Sequence, residues 1–110
     1  MLAKANRLTS SRAFRQAVRS GSRAGSRTLV IHLLRREAGD AQVGFVVSRA
    51  VGNAVARNRV RRRLRHLARQ RLLSLPSSCV LVVRALPRAA EAQWPELGED
   101  LDRCLGRVLP

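Results

Sequence analysis

The chain is short of negative charge. Its 110 residues hold 7 acids against 22 basic residues, a formal net charge of +15. A folded domain has no need of that imbalance. It predicts a polyanionic partner, with nucleic acid ahead of an anionic membrane surface. Lysine is almost missing too: Lys4 is the only one, and arginine supplies the other 21 cations. Arginine favours bidentate phosphate contacts and stacking on bases, although a bias that reaches every basic position is also what a skewed coding composition produces. Apolar runs are short, and none approaches the roughly eighteen residues of a membrane span. MLAKANRLTSS holds no apolar segment of signal-peptide length, so a cytoplasmic location with no membrane contact is expected. Of the two cysteines, Cys79 and Cys104 lie far apart without the short spacing of a zinc or redox motif, and both read as buried free thiols.

Catalytic signatures are absent as well. There is no HExxH, no paired-carboxylate motif and no glycine-rich cradle followed by GK[ST]. His32 falls in a strand candidate, His66 in a basic helix, and Ser48 has no evident base partner. A binding function is expected, with no catalytic side chain and no metal ligand assigned.

What the chain does have is concentrated in Gly52 to Arg71, GNAVARNRVRRRLRHLARQR. Eight arginines and no acid lie between Arg57 and Arg71. Val60, Leu64, Leu67, Ala68 and Leu72 recur three or four apart, which predicts an amphipathic helix. Arg57 and Arg61 border the apolar stripe, and Arg62, Arg65 and Arg69 occupy the flank and far side. Crowding like charges costs stability that a polyanion would relieve. Asn53 suits a cap. Asn58 has two open readings, a ligand contact or a local backbone contact.

Before this segment, Ser10 or Ser11 can cap a helix running to about Ser20, and Gly21 is expected to stop it in a left-handed conformation. Phe14 and Val18 lie four apart on it. Phe14 reads either as a core aromatic or as a ring exposed in a groove, where it would stack on a base. GSRAG, residues 21–25, reads as a flexible turn with Arg23 exposed. Residues 27–35 predict a strand, with Leu29, Ile31 and Leu33 facing one way and Thr28, Val30, His32 and Leu34 the other. His32 reads as a satisfied, partly buried histidine or as a nucleic-acid contact. Residues 42–49 predict a second strand, paired with the first as an antiparallel hairpin across EAGD. Arg49 at its end is placed to reach a phosphate.

After the arginine helix, residues 79–84, CVLVVR, form a continuous apolar run that suits a central strand. A final helix is predicted from Trp94 or Pro95 to Val108, with Trp94, Leu97, Leu101, Cys104, Leu105 and Val108 as its apolar stripe and Trp94 as core packing. Five of the seven acids follow residue 90, so this end is the least suited to nucleic acid. The element order is α-β-β-α-β-α: an α+β fold, a two-layer sandwich on a central mixed sheet, as one domain over 1–110. Phosphate contacts are expected from Arg57, Arg59, Arg61, Arg62 and Arg65, and a groove of Phe14, Val18 and His32 would suit an unpaired strand.

The segment GFVVSRAVGNAVARNRVRRRLRH resembles the signature region of the bacterial ribonuclease P protein component. Gly44-Phe45, Val47-Ser48, Gly52-Asn53-Ala54-Val55 and Arg57-Asn58-Arg59 match it, the last being the family's RNR motif. Leu8, Phe14, Gly21 and Val80 to Arg84 extend the likeness over essentially the whole chain. The resemblance implies an α/β sandwich with a left-handed β-α-β crossover, where general rules favour a right-handed one. It implies a protein that is not itself the catalyst but assists a catalytic RNA in magnesium-dependent removal of the 5′ leader from precursor tRNA. The implied partners are that RNA and precursor tRNA, with no obligate protein partner. On this mapping Arg57, Asn58, Arg59, Arg61, Arg62 and Arg65 face the catalytic RNA. Phe14, Val18 and His32 line the leader groove, and Arg12, Ser48, Arg49 and Asn53 add further RNA contacts. The chain departs from the family pattern at Ala50, where a second basic residue is common, and at Val18 and His32, which are often aromatic. His66 replaces a frequent glutamate or glutamine. A structural RNA-binding protein, such as a ribosomal component, is the alternative. A DNA-binding module with residues 57–72 as its recognition helix is disfavoured by the strands on either side.

Overall fold

Cys79–Ala85 (β4), apolar up to Arg84, sits inside a four-stranded sheet of order β1-β2-β4-β3. The structure is a computed structural model and describes residues 2–109. The other strands are Ser22–Gly25 (β1), Leu29–Arg35 (β2) and Gln42–Val46 (β3). Strand β4 pairs antiparallel with β2 and parallel with β3, placing Val82 between His32 and Gly44. Only an interior strand covered on both faces buries consecutive apolar residues, and Cys79 to Val83 are at most 1% exposed.

This arrangement corrects the expected hairpin. Strands β2 and β3 are not neighbours, because β4 lies between them. The EAGD link steps across the width of one strand rather than closing a tight turn. The sheet edge falls to β3, whose Gln42, Phe45 and Val46 are only half-buried. A second correction concerns residues 21–25, which are no flexible turn. Ser22–Gly25 is a strand that pairs antiparallel with β2. Serine and glycine give little local strand signal; this strand forms because the outer backbone groups of β2 need partners. Gly21 is not left-handed either, with φ −76° and ψ 163°. Its missing Cβ matters for close approach instead, since one would stand 2.9 Å from the Leu33 carbonyl oxygen.

Three helices cover the sheet. Ser11–Ser20 (α1) lies on one face, where Ala13, Phe14 and Ala17 pack with Leu8, Leu34, Val80 and Val82. The Ser10 hydroxyl caps it, accepting from the Ala13 amide at 3.1 Å. Ala54–Gln70 (α2) and Trp94–Val108 (α3) cover the other face. Val60, Leu64, Leu67 and Ala68 of α2 meet Leu97, Leu101, Cys104 and Leu105 of α3 over Leu29, Ile31, Leu33, Leu81 and Val83. Arg71 forks onto Asp102, with Nη2 donating to Oδ2 at 3.1 Å, and ties the two helices together. Thr28 precedes β2 and turns toward α3 rather than sharing the face of Val30 and His32. Its hydroxyl donates to the buried Asp100 carboxylate at 2.7 Å.

Ahead of α1 the chain is anchored at Leu2, which is 3% exposed. A 3-10 turn follows at Lys4–Asn6, and the Leu8 amide donates to the Val43 carbonyl at 3.0 Å, covering the outer edge of β3. No helix among the described residues is long and apolar enough to cross a membrane.

Candidate nucleic-acid interface

The site is built outward from the junction between β3 and α2. Strand β3 ends at Val46, and a 3-10 turn at Arg49–Val51 redirects the chain. The turn is closed by the Val51 amide donating to the Ser48 carbonyl at 3.1 Å and the Gly52 amide to the Arg49 carbonyl at 3.1 Å. Gly52 has φ +152°, a conformation L side chains rarely adopt. Asn53 then caps α2, its Oδ1 accepting from the Ala56 amide at 2.9 Å. The GN pair therefore aims the helix, and Ser48, Arg49 and Asn53 stand exposed at its entrance.

Along α2 the arginines divide between two flanks of the buried stripe. Arg57, Arg61 and Arg65, four apart, form one row. Arg59, Arg62 and Arg63 lie on the other side. Arg59, Arg62 and Arg65 are exposed, whereas Arg57 and Arg61 are half-buried. Among the described residues the ion pairs are Arg71–Asp102 and Arg103–Asp100, so no arginine from 57 to 69 meets a carboxylate. Each like-charged pair at helical spacing costs roughly 0.2–0.5 kcal/mol. A polyanion laid along the helix reverses that sign. Arg57 carries a further mark, a buried Nε without a hydrogen-bond partner. For Asn58 the structure supplies a local contact: its Oδ1 accepts from Arg61 Nη1 at 3.1 Å, one turn on, which steers Arg61.

The Arg61–Arg65 row borders a groove of about 320 Å³ floored by Leu8, Phe14, Val43, Gly44 and Phe45. Gly44 is essential to its shape, because a Cβ there would run into the Phe14 ring and the Leu8 side chain. Of the expected groove residues, Phe14 lines this space. Val18 does not; it stands 50% exposed on a shallower continuation along α1 with Arg15 and Arg19. His32 lies apart from both and is 6% exposed. Burial, with the Arg23 and Arg84 guanidinium groups nearby, holds its pKa below the usual histidine value. Its Nδ1 is buried without a partner. Arg12 is exposed near the start of α1. The sequence reading missed Phe45, Leu8 and Arg7 as groove residues. The signal that could have found Phe45 is the edge position of β3, which leaves the ring half-covered.

Trp94 also departs from expectation. It is 40% exposed rather than packed in the core. Its ring meets His66 edge-on at a centroid distance of 5.2 Å, and the Arg63 guanidinium lies 5.7 Å from its centroid. Both cysteines are buried and free, and burial raises both thiol pKa values.

Together these features define a small α+β protein with one arginine face left uncompensated beside an aromatic groove. A family model described as Ribonuclease P matches residues 2–109. The ribonuclease P protein component of a Nocardioides species is 62% identical over 111 residues, covering 98% of this chain and 95% of the relative. That of Salinispora tropica is 48% identical, covering 96% and 91%. The chain belongs to the ribonuclease P protein family. Its members are protein components of ribonuclease P, an endoribonuclease ribonucleoprotein of tRNA processing. The fold agrees. The RNase P protein of Staphylococcus aureus superposes with a TM-score of 0.82 at 24% identity, covering 97% of this chain and 100% of that one. The protein from Thermotoga maritima gives 0.81 at 23%, covering 94% and 98%. At such identities these two likenesses speak to the fold alone.

Proposed function

We propose that α2 lies against the catalytic RNA while the groove of Phe14 and Phe45, bordered by Arg61 and Arg65, holds the unpaired 5′ leader of precursor tRNA. The protein thereby promotes magnesium-dependent removal of that leader, and the RNA carries the chemistry. The observation behind this reading is the unneutralised arginine row directly beside an aromatic groove. Guanidinium groups neutralise phosphates, and aromatic faces accept unpaired bases without demanding a sequence. Ser48, Arg49 and Asn53 at the entrance of α2, and Arg12 on α1, extend the contact. Val18, on the shallower continuation along α1, offers no stacking face, so stacking rests on the two phenylalanines.

Magnesium takes oxygen ligands, usually carboxylates and phosphates. Among the described residues no three of His, Cys, Asp and Glu come together, and α2 itself carries no acid. These side chains do not fit a protein-held magnesium site. The ion belongs with RNA and substrate phosphates, and the protein's part is to neutralise charge around them and to hold the leader in place.

The test is precursor-tRNA cleavage by a bacterial ribonuclease P RNA at low magnesium, with and without the protein. Strong stimulation yielding the correct 5′ end is expected. Binding to the RNA without a gain in cleavage or substrate affinity would overturn the proposal in favour of a purely structural RNA-binding role.

A further inference from the structure

The flank of α2 that faces away from the groove ends on an exposed aromatic. Arg59, Arg63 and His66 recur at intervals of four and three, so they form one continuous strip. At its end stands Trp94, the first residue of α3. Leu97, Leu101 and Leu105 of that α3 stripe are at most 5% exposed, whereas Trp94 keeps 40% of its surface free. Ala89 and Ala92, shortly before it in the chain, are buried at 0% and 7%. The indole is not loose, however. His66 braces its edge at 5.2 Å, and Arg63, which also donates to the Ala92 carbonyl at 3.4 Å, stands 5.7 Å from the ring centroid. An orientated indole with free surface, beside guanidinium groups that no carboxylate neutralises, is the combination that captures unpaired bases.

We infer that Trp94, braced by His66 and Arg63, is a second RNA site: it stacks on one unpaired base of the catalytic RNA whose neighbouring phosphates lie on Arg59 and Arg62. This rests on the reading that α2 faces that RNA, and it carries the RNA surface past α2 onto the start of α3. The site takes a single base rather than a continuing strand. Glu91, Glu96 and Glu99 flank Trp94 in sequence, and their charge repels a backbone that continues along α3. A protein partner is disfavoured by the same strip of like charges, which lacks the apolar area that a stable protein interface requires.

Trp94 is the only tryptophan in the chain, so intrinsic fluorescence reads the site directly. The full-length protein is titrated with a bacterial ribonuclease P RNA transcript while emission and, separately, affinity are followed. Saturable quenching of Trp94 is expected. Trp94→Leu, which keeps an apolar cover over α2 but has no aromatic face, is expected to bind about five- to twentyfold more weakly, the loss of one base stack. Trp94→Phe is expected to recover most of that. Wild-type binding without a change in emission, together with unaltered affinity of Trp94→Leu, would overturn the second site while leaving the α2 interface standing. If the wild-type protein fails to bind the transcript at all, the reading of α2 falls, and this inference with it. Should Trp94→Leu lose its fold, the wild-type emission decides alone, and an absence of quenching at saturation rejects the site.

Discussion

Individual residues carry opposing assignments to stability and to binding. His32 is buried with an unpaired Nδ1, and its pKa is lowered by desolvation, then by Arg23 and Arg84. The folded state therefore binds its proton less readily than the unfolded chain. The stability tied to neutral His32 is present above the unfolded pKa and is lost as pH falls through about 6.5 toward the lower folded value. Thermal melts from about pH 7.5 to 5.5 should show this loss, and His32→Leu should flatten it; an equal slope in the variant would exclude His32 as the source. Arg59 and Arg103 contrast in the same spirit. Arg103 Nη1 donates to the buried Asp100 at 3.2 Å, so Arg103→Ala leaves a buried carboxylate with the Thr28 hydroxyl as its remaining side-chain partner. A drop in melting temperature with RNA binding intact is expected there. Arg59 has no carboxylate partner, and Arg59→Ala should weaken RNA binding with little change in melting. Equal losses of binding in both variants would argue against a localised RNA face.

Among the elements, the contact between α1 and β3 governs the groove. Phe14 projects from α1 onto β3 where Gly44 has no side chain. Gly44→Ala should expel the ring from its seat, at a stability cost of about 1–3 kcal/mol typical of overpacking. Leader affinity should fall further than the affinity for leaderless tRNA, as competition binding would measure. Parallel losses for both ligands would detach the groove from leader recognition. Much of this was legible in the chain. The stripe of α2, its Asn53 cap, the Ser10 cap of α1 and the span of α3 follow from residues within four positions of one another. The pairing of β2 with β4, the existence of β1 and the exposure of Trp94 do not. They depend on which surfaces other elements leave open.

At the scale of the molecule, charge is distributed unevenly. The carboxylates of Asp100 and Asp102 are engaged with arginines of α3 and the end of α2, while the arginines from 57 to 69 remain without carboxylate partners. Binding to the catalytic RNA should therefore weaken steeply with salt, each neutralised phosphate adding roughly 0.7–0.9 to the slope of log K against log salt. Replacing Arg57, Arg61 and Arg65 together by alanine should lower that slope by about 2 to 3. A slope left unchanged would place the contacts elsewhere.

By itself the sequence determined the charge, the amphipathic helices with their caps, the apolar strand suited to a sheet interior, and the RNR segment that marks the family. These are local properties: helix periodicity and capping operate over three or four residues, and a cation remains a cation wherever it lies. Tertiary structure alone decided that β4 separates β2 from β3, that Gly44 receives Phe14, that Phe45 joins the groove while His32 leaves it, and that Trp94 is held at the surface. Strand neighbours and pocket walls are chosen by burial and hydrogen-bond satisfaction among residues tens of positions apart. No local pattern encodes that choice.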